Sequence, residues 1–148
     1  MIRTVYLGLA LLTANCCVWA DKVTPTIRSD TEVSFSPLIL PNIRAIIIKE
    51  NSANFGVAEK VERQCKRFRL SKASVNYYLR TAQIVTEHDY LHALDWSPCF
   101  ASGAVYFEGG VTGVWGIQQY RAGSLKLSDG RDIYLYCPKC KSRQFSNR

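Results

Sequence analysis

Residues 95–140 constrain the fold of this chain more than any other part of the sequence. They hold seven of the nine Gly, two of the three Trp and three of the six Cys, and their short apolar runs alternate with glycine-containing turns. This spacing predicts a β-meander closed by cysteines. The predicted strands are residues 100–107, 111–119, 124–127 and 131–137, and the predicted turns are residues 108–110, 121–123 and 128–130.

Alternation of apolar residues within the second and last of these strands predicts which side of each strand is buried. That side is expected to pack against a helix. The expected inward-facing residues are Val111, Gly113, Trp115, Ile117, Ile133, Leu135 and Cys137.

An amphipathic helix is predicted ahead of the meander. Ser71 is a suitable N-cap, and Leu70 and Val75 are placed to form a hydrophobic staple around it. The helix is expected to run to about Val85, with its apolar face on the sheet and its polar face in solvent. The apolar face is Val75, Tyr78, Leu79 and Ala82, and the polar face is Lys72, Asn76, Arg80 and Gln83.

Two further strands are predicted, at the β-branched residues 43–48 and at the alternating residues 65–70. Residues 54–64 suit either a short helix or a turn. Together these elements predict an α+β fold, in which an antiparallel β-meander of about four to five strands packs against one main α-helix. The single domain is expected to cover residues 42–148 and to be stapled by disulfides.

The first 20 residues have the pattern of a secretory signal peptide. Arg3 precedes an uncharged apolar run, which is shorter than the roughly 20 residues that span a bilayer, and Ala20 is a small residue at the expected cleavage point. The pattern predicts a periplasmic or secreted protein with no stable membrane insertion after cleavage. Lipidation at Cys16 or Cys17 is the alternative. Residues 21–41 are expected to form an extended N-terminal arm.

The chain is basic, with a formal net charge of +7. The leader contains one of the 19 Lys and Arg residues, Arg3, so that 18 basic residues remain against 12 acidic residues after cleavage. This balance favours an acidic partner, which is either an envelope polyanion or the acidic surface of another protein, and a protein is the favoured partner. Nucleic acid is not expected, because Phe68 is the only aromatic side chain in the basic run 60–72 on which a base could stack.

Four cysteines remain after cleavage: Cys65, Cys99, Cys137 and Cys140. Two disulfides are expected in an oxidising compartment, and the four cysteines allow three pairings, among which the sequence does not choose. We prefer a pairing of Cys65 and Cys99 with the two tail cysteines, because long loops restrict the unfolded chain most. The C-x-x-C pair also fits a thiol-redox centre, and the four thiolates fit a zinc site. Only eight residues follow Cys140, too few for the helix that activates a redox cysteine.

His88 and His92 stand four residues apart, a spacing at which a helix presents two metal ligands on one face. No H-E-x-x-H pattern surrounds them, and the sequence contains no nucleophile elbow, phosphate loop or paired-carboxylate motif. The sequence therefore predicts a non-enzymatic protein without a cofactor, with His88 and His92 as secondary metal candidates.

Aromatic and basic side chains outside the predicted core form the candidate binding surface. The aromatic members are Tyr106, Tyr134 and Tyr136, which are out of phase with the buried faces of their strands. The basic members are Lys66, Arg67 and Arg69. They are suited to docking an acidic surface, and the alternative is that they form a solvated face with no partner.

Several motifs together resemble those of small exported bacterial proteins of unknown function. They are C-x-x-F-x-L at residues 65–70, H-x-L-D-W-S-P-C-x-A-S-G-x-x-x-F at 92–107, G-x-W-x-I at 113–117 and L-Y-C-x-x-C at 135–140. Such proteins are similar in kind to periplasmic immunity proteins, which bind and neutralise a toxin that acts on the envelope. The resemblance contains no catalytic motif and transfers no functional residue.

That resemblance implies an exported, non-enzymatic binding protein, of the immunity or inhibitor kind, whose partner is another protein. Two other hypotheses belong to different classes. One is a thiol-redox or metal-dependent enzyme that uses Cys137 and Cys140 or His88 and His92. The other is a structural component of the envelope or of a secretion apparatus.

Overall fold

The computed structural model describes residues 32–55 and 59–145. The elements are, in order, β1 (Ser36–Pro37), β2 (Ile43–Asn54), α1 (Glu59–Cys65), α2 (Lys72–Thr81), β3 (Gln83–Val85), α3 (Glu87–His92), β4 (Cys99–Phe107), β5 (Thr112–Gln118), β6 (Ala122–Leu127) and β7 (Asp132–Tyr136). A 3₁₀ turn at Glu108–Gly110 connects β4 to β5.

All strand pairings in the described chain are antiparallel, and they form one sheet in the order β1-β3-β7-β6-β5-β4-β2. The α+β class is confirmed, and the predicted meander is present as the consecutive strands β4 to β7. The sheet has seven strands where about four to five were predicted, and three helices accompany it where one main helix was predicted. The strand predicted at residues 43–48 lies within β2, which extends one edge of the meander by pairing with β4. Two strands that were not predicted, β3 and then β1, extend the other edge beyond β7.

The hydrophobic core lies between one face of the sheet and the layer that contains α1 and α2. Trp115 is the largest fully buried side chain, and its indole Nε1 donates to the Ala104 carbonyl at 3.1 Å. The inward faces predicted for the meander are confirmed, since Gly113, Ile117 and Leu135 are buried on the same side as Trp115.

The opposite side of the sheet is called the open face here. It consists of the strand residues that alternate with the buried ones. Three of its residues, Tyr106 on β4, Val114 on β5 and Lys126 on β6, are exposed. The sheet is therefore buried on one side and accessible over much of the other.

Helix α2 begins where the sequence predicts, because the Ser71 Oγ accepts a hydrogen bond from the Ser74 N–H at 3.1 Å. The predicted end at Val85 is wrong. The helix ends at Thr81, and residues 83–85 form β3 against β7. The β-branched Ile84 and Val85 favour an extended backbone, and pairing with Leu135 stabilises it there. The predicted apolar face is confirmed as buried at Val75, Tyr78, Leu79 and Ala82.

The strand predicted at residues 65–70 is wrong. Cys65 is the last residue of α1, so the ambiguous segment before it contains a helix, and residues 66–70 connect α1 to α2 without regular structure. Burial of Phe68 and Leu70, with Arg69 exposed between them, produces the alternation in a connecting segment. Period-two patterns in short segments arise from such half-buried loops as well as from strands.

The predicted disulfide pairing is also wrong. Cys65 pairs with Cys99, with their Cα atoms 4.9 Å apart, and Cys137 pairs with Cys140, with their Cα atoms 5.4 Å apart. Loop-closure entropy describes how a bridge restricts the unfolded chain, whereas pairing is set by which cysteines the fold brings within bonding distance. The end of α1 packs beside the start of β4, and the turn after β7 brings the tail pair together.

The predicted signal peptide, residues 1–20, lies outside the described residues, as do Cys16 and Cys17. Within the described part of the predicted arm, Ser36–Pro37 adds β1 to the sheet by pairing with β3. Leu38 and Leu40 pack against the core on the way to β2. Of the helices in residues 32–55 and 59–145, none is long and apolar enough to cross a membrane.

Candidate binding groove

A groove of about 690 Å³ lies between helix α2 and the N-terminal half of strand β2, and it is called the basic groove here. The helix lines it on one side and the strand on the other. Its lining residues are Lys72, Ala73, Asn76, Tyr77 and Arg80 from α2, and Ile43, Arg44, Ala45 and Ile46 from β2.

Three cationic side chains line the basic groove, and the described residues around it include no Asp or Glu. Lys72, Asn76 and Arg80 recur every four residues and therefore form one stripe along α2. Arg44 adds the third cation from the strand. The Arg80 Nε donates to the Asn76 Oδ1 at 3.0 Å, which orients the guanidinium without neutralising it. Like charges converging on one concave surface favour an anionic ligand.

Exposed apolar surface accompanies these cations. Tyr77 lines the groove and is 53% exposed. An adjoining depression of about 240 Å³ shares Arg80 and adds Ile39, which is 83% exposed. A second, of about 340 Å³, shares Arg44 and reaches Tyr106. A ligand that carries both acidic and apolar groups fits this combination.

Strand β2 is an edge strand, and its only strand partner in the described sheet is β4. Its pairing is irregular before residue 45 and after residue 48, whereas residues 45–48 pair regularly with β4. Farther along, the side chain of Asn51 donates to the Leu70 carbonyl at 2.9 Å and accepts from the Leu70 N–H at 3.0 Å. The connection before α2 thus lies against the C-terminal end of β2, whereas Ala45 and Ile46 of the regularly paired segment line the groove.

An aromatic cluster forms a second exposed apolar surface. Phe55 stacks on Phe100, with ring centroids 4.4 Å apart, and on Trp96, with centroids 5.6 Å apart. Phe55 and Trp96 remain 54% and 58% exposed. Exposed apolar patches of this kind mark interaction surfaces. The sequence pattern did not select Phe55 or Trp96, because neither lies in a predicted strand.

The three tyrosines of the predicted binding surface lie on the open face, yet they do not form one patch. Tyr106 lies on β4, and Tyr134 and Tyr136 lie on β7, with β5 and β6 between them. The Tyr134 hydroxyl donates to the Glu87 Oε1 at 3.0 Å, and this hydrogen bond raises the pKa of Tyr134. The Arg121 guanidinium lies 5.4 Å from the ring centre of Tyr136. Tyr106, by contrast, is exposed and borders the depression next to the basic groove.

The three basic residues of the predicted surface lie on the other side of the sheet, in the connection between α1 and α2. Lys66, Arg67 and Arg69 are all exposed, and the Lys66 Nζ pairs with Glu62 at 3.2 Å. The structure does not bring them together with the tyrosines. Their segment leads instead to Lys72, the first cation of the basic groove.

The C-x-x-C pair forms its own disulfide, and both of its cysteines are buried, with Cys137 0% and Cys140 1% exposed. Between Cys140 and residue 145, where the described chain ends, there is no helix. Thiol exchange needs an accessible sulfur, and burial of Cys137 and Cys140 restricts access to this bridge in the described structure.

His88 and His92 lie on α3, with their ring centroids 4.8 Å apart, and both are exposed. The helical spacing expected from the sequence is therefore present. Within residues 32–55 and 59–145, no group of three or more His, Cys, Asp or Glu residues is placed to hold a metal ion. The two histidines form an exposed pair without a third ligand in that part of the chain.

Comparison of the chain with protein families, with curated proteins and with solved structures finds no match. The basic groove is therefore interpreted from its own chemistry. The four-residue spacing of Lys72, Asn76 and Arg80 predicts a solvated helix face, but it does not indicate a groove. What makes this stripe the wall of a groove is the position of β2 at the sheet edge, and that position depends on strand order.

Proposed function

We propose that this protein is an exported, non-enzymatic binding protein that docks an acidic segment of another protein in the basic groove. In its finer form, the proposal is that binding inhibits the partner, as an immunity protein inhibits a toxin. The observation that carries the proposal is the convergence of Arg44, Lys72 and Arg80 on one groove with no acidic side chain among its described lining residues.

Two features support the chemical class of the partner. The cations supply long-range attraction for an acidic surface, which raises the rate of encounter and rejects basic partners. Tyr77 and Ile39 supply exposed apolar area that a partner would remove from water, and this area contributes affinity that salt does not screen. An acidic segment with apolar residues between its carboxylates uses both features.

Two features support export. The Cys65–Cys99 and Cys137–Cys140 disulfides are typical of proteins in oxidising compartments. The apolar run that ends before Ala20 has the pattern of a cleavable leader. An exported partner, or an enzyme acting on the envelope, is the target that such a protein meets.

Affinity capture with a charge-reversed groove tests the proposal. The purified protein and its Lys72→Glu/Arg80→Glu variant would each be used to capture proteins from envelope and secreted fractions, and the affinity for each purified partner would be measured. We expect an acidic partner that the variant binds about ten- to a hundred-fold more weakly, which corresponds to about 1.4–2.7 kcal/mol. Both substituted residues are exposed or half-buried at the helix surface, so the fold is expected to survive.

The matched control is Lys126→Glu, which reverses one charge on the open face of β6, away from the basic groove. This control should leave the affinity for the partner unchanged. Equal affinity of the wild-type protein and the groove variant for every captured partner would overturn the proposal.

A further inference from the structure

We propose that the acidic segment binds as an added β-strand on the free edge of β2, an inference that rests on the proposed function. Residues 45–48 pair with β4 on one side and have no strand partner on the other side in the described sheet. Backbone N–H and C=O groups on such an edge accept an extended peptide, which continues the sheet by main-chain hydrogen bonds.

The basic groove lies where an added strand would lie. Ala45 and Ile46 line it from the strand, and Asn76 and Tyr77 line it from the helix. A peptide paired with residues 45–48 would therefore enter the space between β2 and α2 where it passes Ala45 and Ile46. The site therefore offers backbone hydrogen-bonding groups along the edge of β2 and side-chain contacts along α2.

The pleat of a strand determines which residues of the peptide would meet the cations. Successive side chains point to opposite faces of a sheet, so every second side chain of the added strand points to the face that α2 covers. That face presents Lys72 and Arg80. The ligand is thus an extended segment with Asp or Glu at alternate positions and apolar or β-branched residues between them.

The irregular pairing of β2 limits the length of the added strand. Register shifts lie between Ile43 and Ala45 and between Ile48 and Glu50, so the regular edge contains four residues. Beyond it, the Asn51 side chain bonds to the backbone of Leu70. Bulges and covered ends of this kind are how proteins restrict pairing at an edge. The segment that fits is short, about four paired residues.

Charge distinguishes this ligand from a second copy of the chain. Arg44 and Lys49 flank the regular edge on the same strand, and Lys72 and Arg80 stand beside it. Edge-to-edge pairing of two copies would bring these cations toward their counterparts, and like charges across an interface oppose association. An acidic segment is attracted by the same residues.

The probe for this inference is a capped heptapeptide with Glu at positions 2, 4 and 6 and Val or Thr elsewhere. Two further peptides carry N-methyl groups on one or the other alternate set of backbone amides. Affinity for the disulfide-intact protein would be measured by calorimetry, and amide hydrogen exchange of residues 45–48 by NMR.

Strand addition predicts that the peptide slows amide exchange within residues 45–48. Only one set of peptide amides faces β2, so methylation of that set should lower the affinity at least about tenfold, and methylation of the other set should change it little. Lys72→Glu/Arg80→Glu should also lower the affinity at least about tenfold, and Lys126→Glu should leave it unchanged.

Three outcomes would overturn strand addition. Equal binding of all three peptides, with unchanged exchange of residues 45–48, would show that charge alone holds the peptide, and the proposed function would stand. Failure of the peptide to bind would also reject the added strand, and the capture experiment would decide the proposed function separately. If, without peptide, amide exchange of residues 45–48 becomes slower as the protein concentration rises, the edge pairs with a second copy of the chain.

Discussion

At the scale of single residues, Tyr78 joins helix α2 to the turn between β5 and β6. Its hydroxyl is buried and donates to the Arg121 carbonyl at 2.9 Å, and burial raises its pKa well above the usual value for tyrosine. The space around the hydroxyl is filled, because a Cβ atom at Gly123 would lie 2.6 Å from the Tyr78 oxygen. Burial thus favours the neutral phenol, and a side chain at position 123 would require the Tyr78 hydroxyl and the Gly116 carbonyl to shift.

Tyr78→Phe should change how the free energy of unfolding depends on pH. The unfolded chain ionises the phenol near pH 10, whereas the folded protein holds the proton to higher pH, so the free energy of unfolding should fall as pH rises above about 10. Tyr78 contributes up to about 1.4 kcal/mol per pH unit to that slope. The variant should lose about 1 kcal/mol at pH 7 and show a shallower alkaline slope, measured by urea unfolding at several pH values.

Tyr77→Phe is the matched control, because Tyr77 is the exposed neighbour on the same helix. It should change neither the stability at pH 7 nor the alkaline slope. Burial also raises the pKa of Tyr90, so part of the slope should remain in Tyr78→Phe. An alkaline slope identical to that of the wild-type protein would show that Tyr78 is not the responsible group.

The candidate site shows how far single residues can be interpreted from sequence. The spacing of Lys72, Asn76 and Arg80 predicted a polar face of the helix, and that face is present. Its role could not be derived, because Arg44 and the edge of β2 come from a segment nearly thirty residues earlier in the sequence. Local patterns reveal which residues share a helix face. They do not reveal which distant segment of the chain packs opposite that face.

At the scale of elements, the two disulfides are both buried but should contribute differently to the stability of the fold. Cys65–Cys99 links the end of α1 to the start of β4 across a sequence separation of 34, and Cys137–Cys140 closes a turn across a separation of 3. In the chain-entropy description, the stabilisation from a bridge is a constant plus a contribution that rises with the logarithm of the length of the loop it closes. The first bridge should therefore stabilise the protein more than the second.

Removing each bridge measures this difference. Cys65→Ala/Cys99→Ala should lower the free energy of unfolding by about 4 kcal/mol, and Cys137→Ala/Cys140→Ala by about 1.6 kcal/mol, as determined by urea unfolding. Each double variant removes two buried sulfurs, so the lost packing is similar and the two variants serve as controls for each other. Equal losses would mean that packing, rather than loop closure, dominates both bridges.

Elements with strong local signals were predictable, and elements that depend on distant partners were not. The meander strands follow from apolar runs bounded by Gly turns, and α2 follows from Ser71 and its apolar stripe. Strand β3 is three residues long and extends the sheet only because β7 pairs with it. The pairing of Cys65 with Cys99 likewise depends on where α1 packs, which no local pattern specifies.

At the scale of the whole molecule, the net charge of +7 makes binding sensitive to salt. The Debye length falls from about 10 Å at 0.1 M to about 3 Å at 1 M salt, so distant cations contribute to attraction only at low ionic strength. The association rate for the acidic heptapeptide should fall about tenfold or more between about 0.05 M and 0.5 M NaCl, with a smaller change in dissociation rate. Surface plasmon resonance across that range measures both rates.

The Lys72→Glu/Arg80→Glu variant is the reference for this measurement, because it reverses two of the three charges of the groove while keeping the same apolar neighbours. Its association rate should vary less with salt. An association rate for the wild-type protein that does not change with salt would mean that the apolar surface around Tyr77 dominates recognition.

The order of strands in the sheet has a consequence for how the chain folds as it is made. Both edges of the sheet, β1 and β2, come from the N-terminal end of the described chain, whereas the strands between them come later. The isoleucine-rich β2 is synthesised before β4, its partner, and β3 has only β1 as a neighbour until β7 has been synthesised. The strands synthesised first are thus separated by the longest stretches of chain from the strands that pair with them. A truncation before Asp132 removes β7, which is the strand that joins β3, and with it β1, to the rest of the sheet.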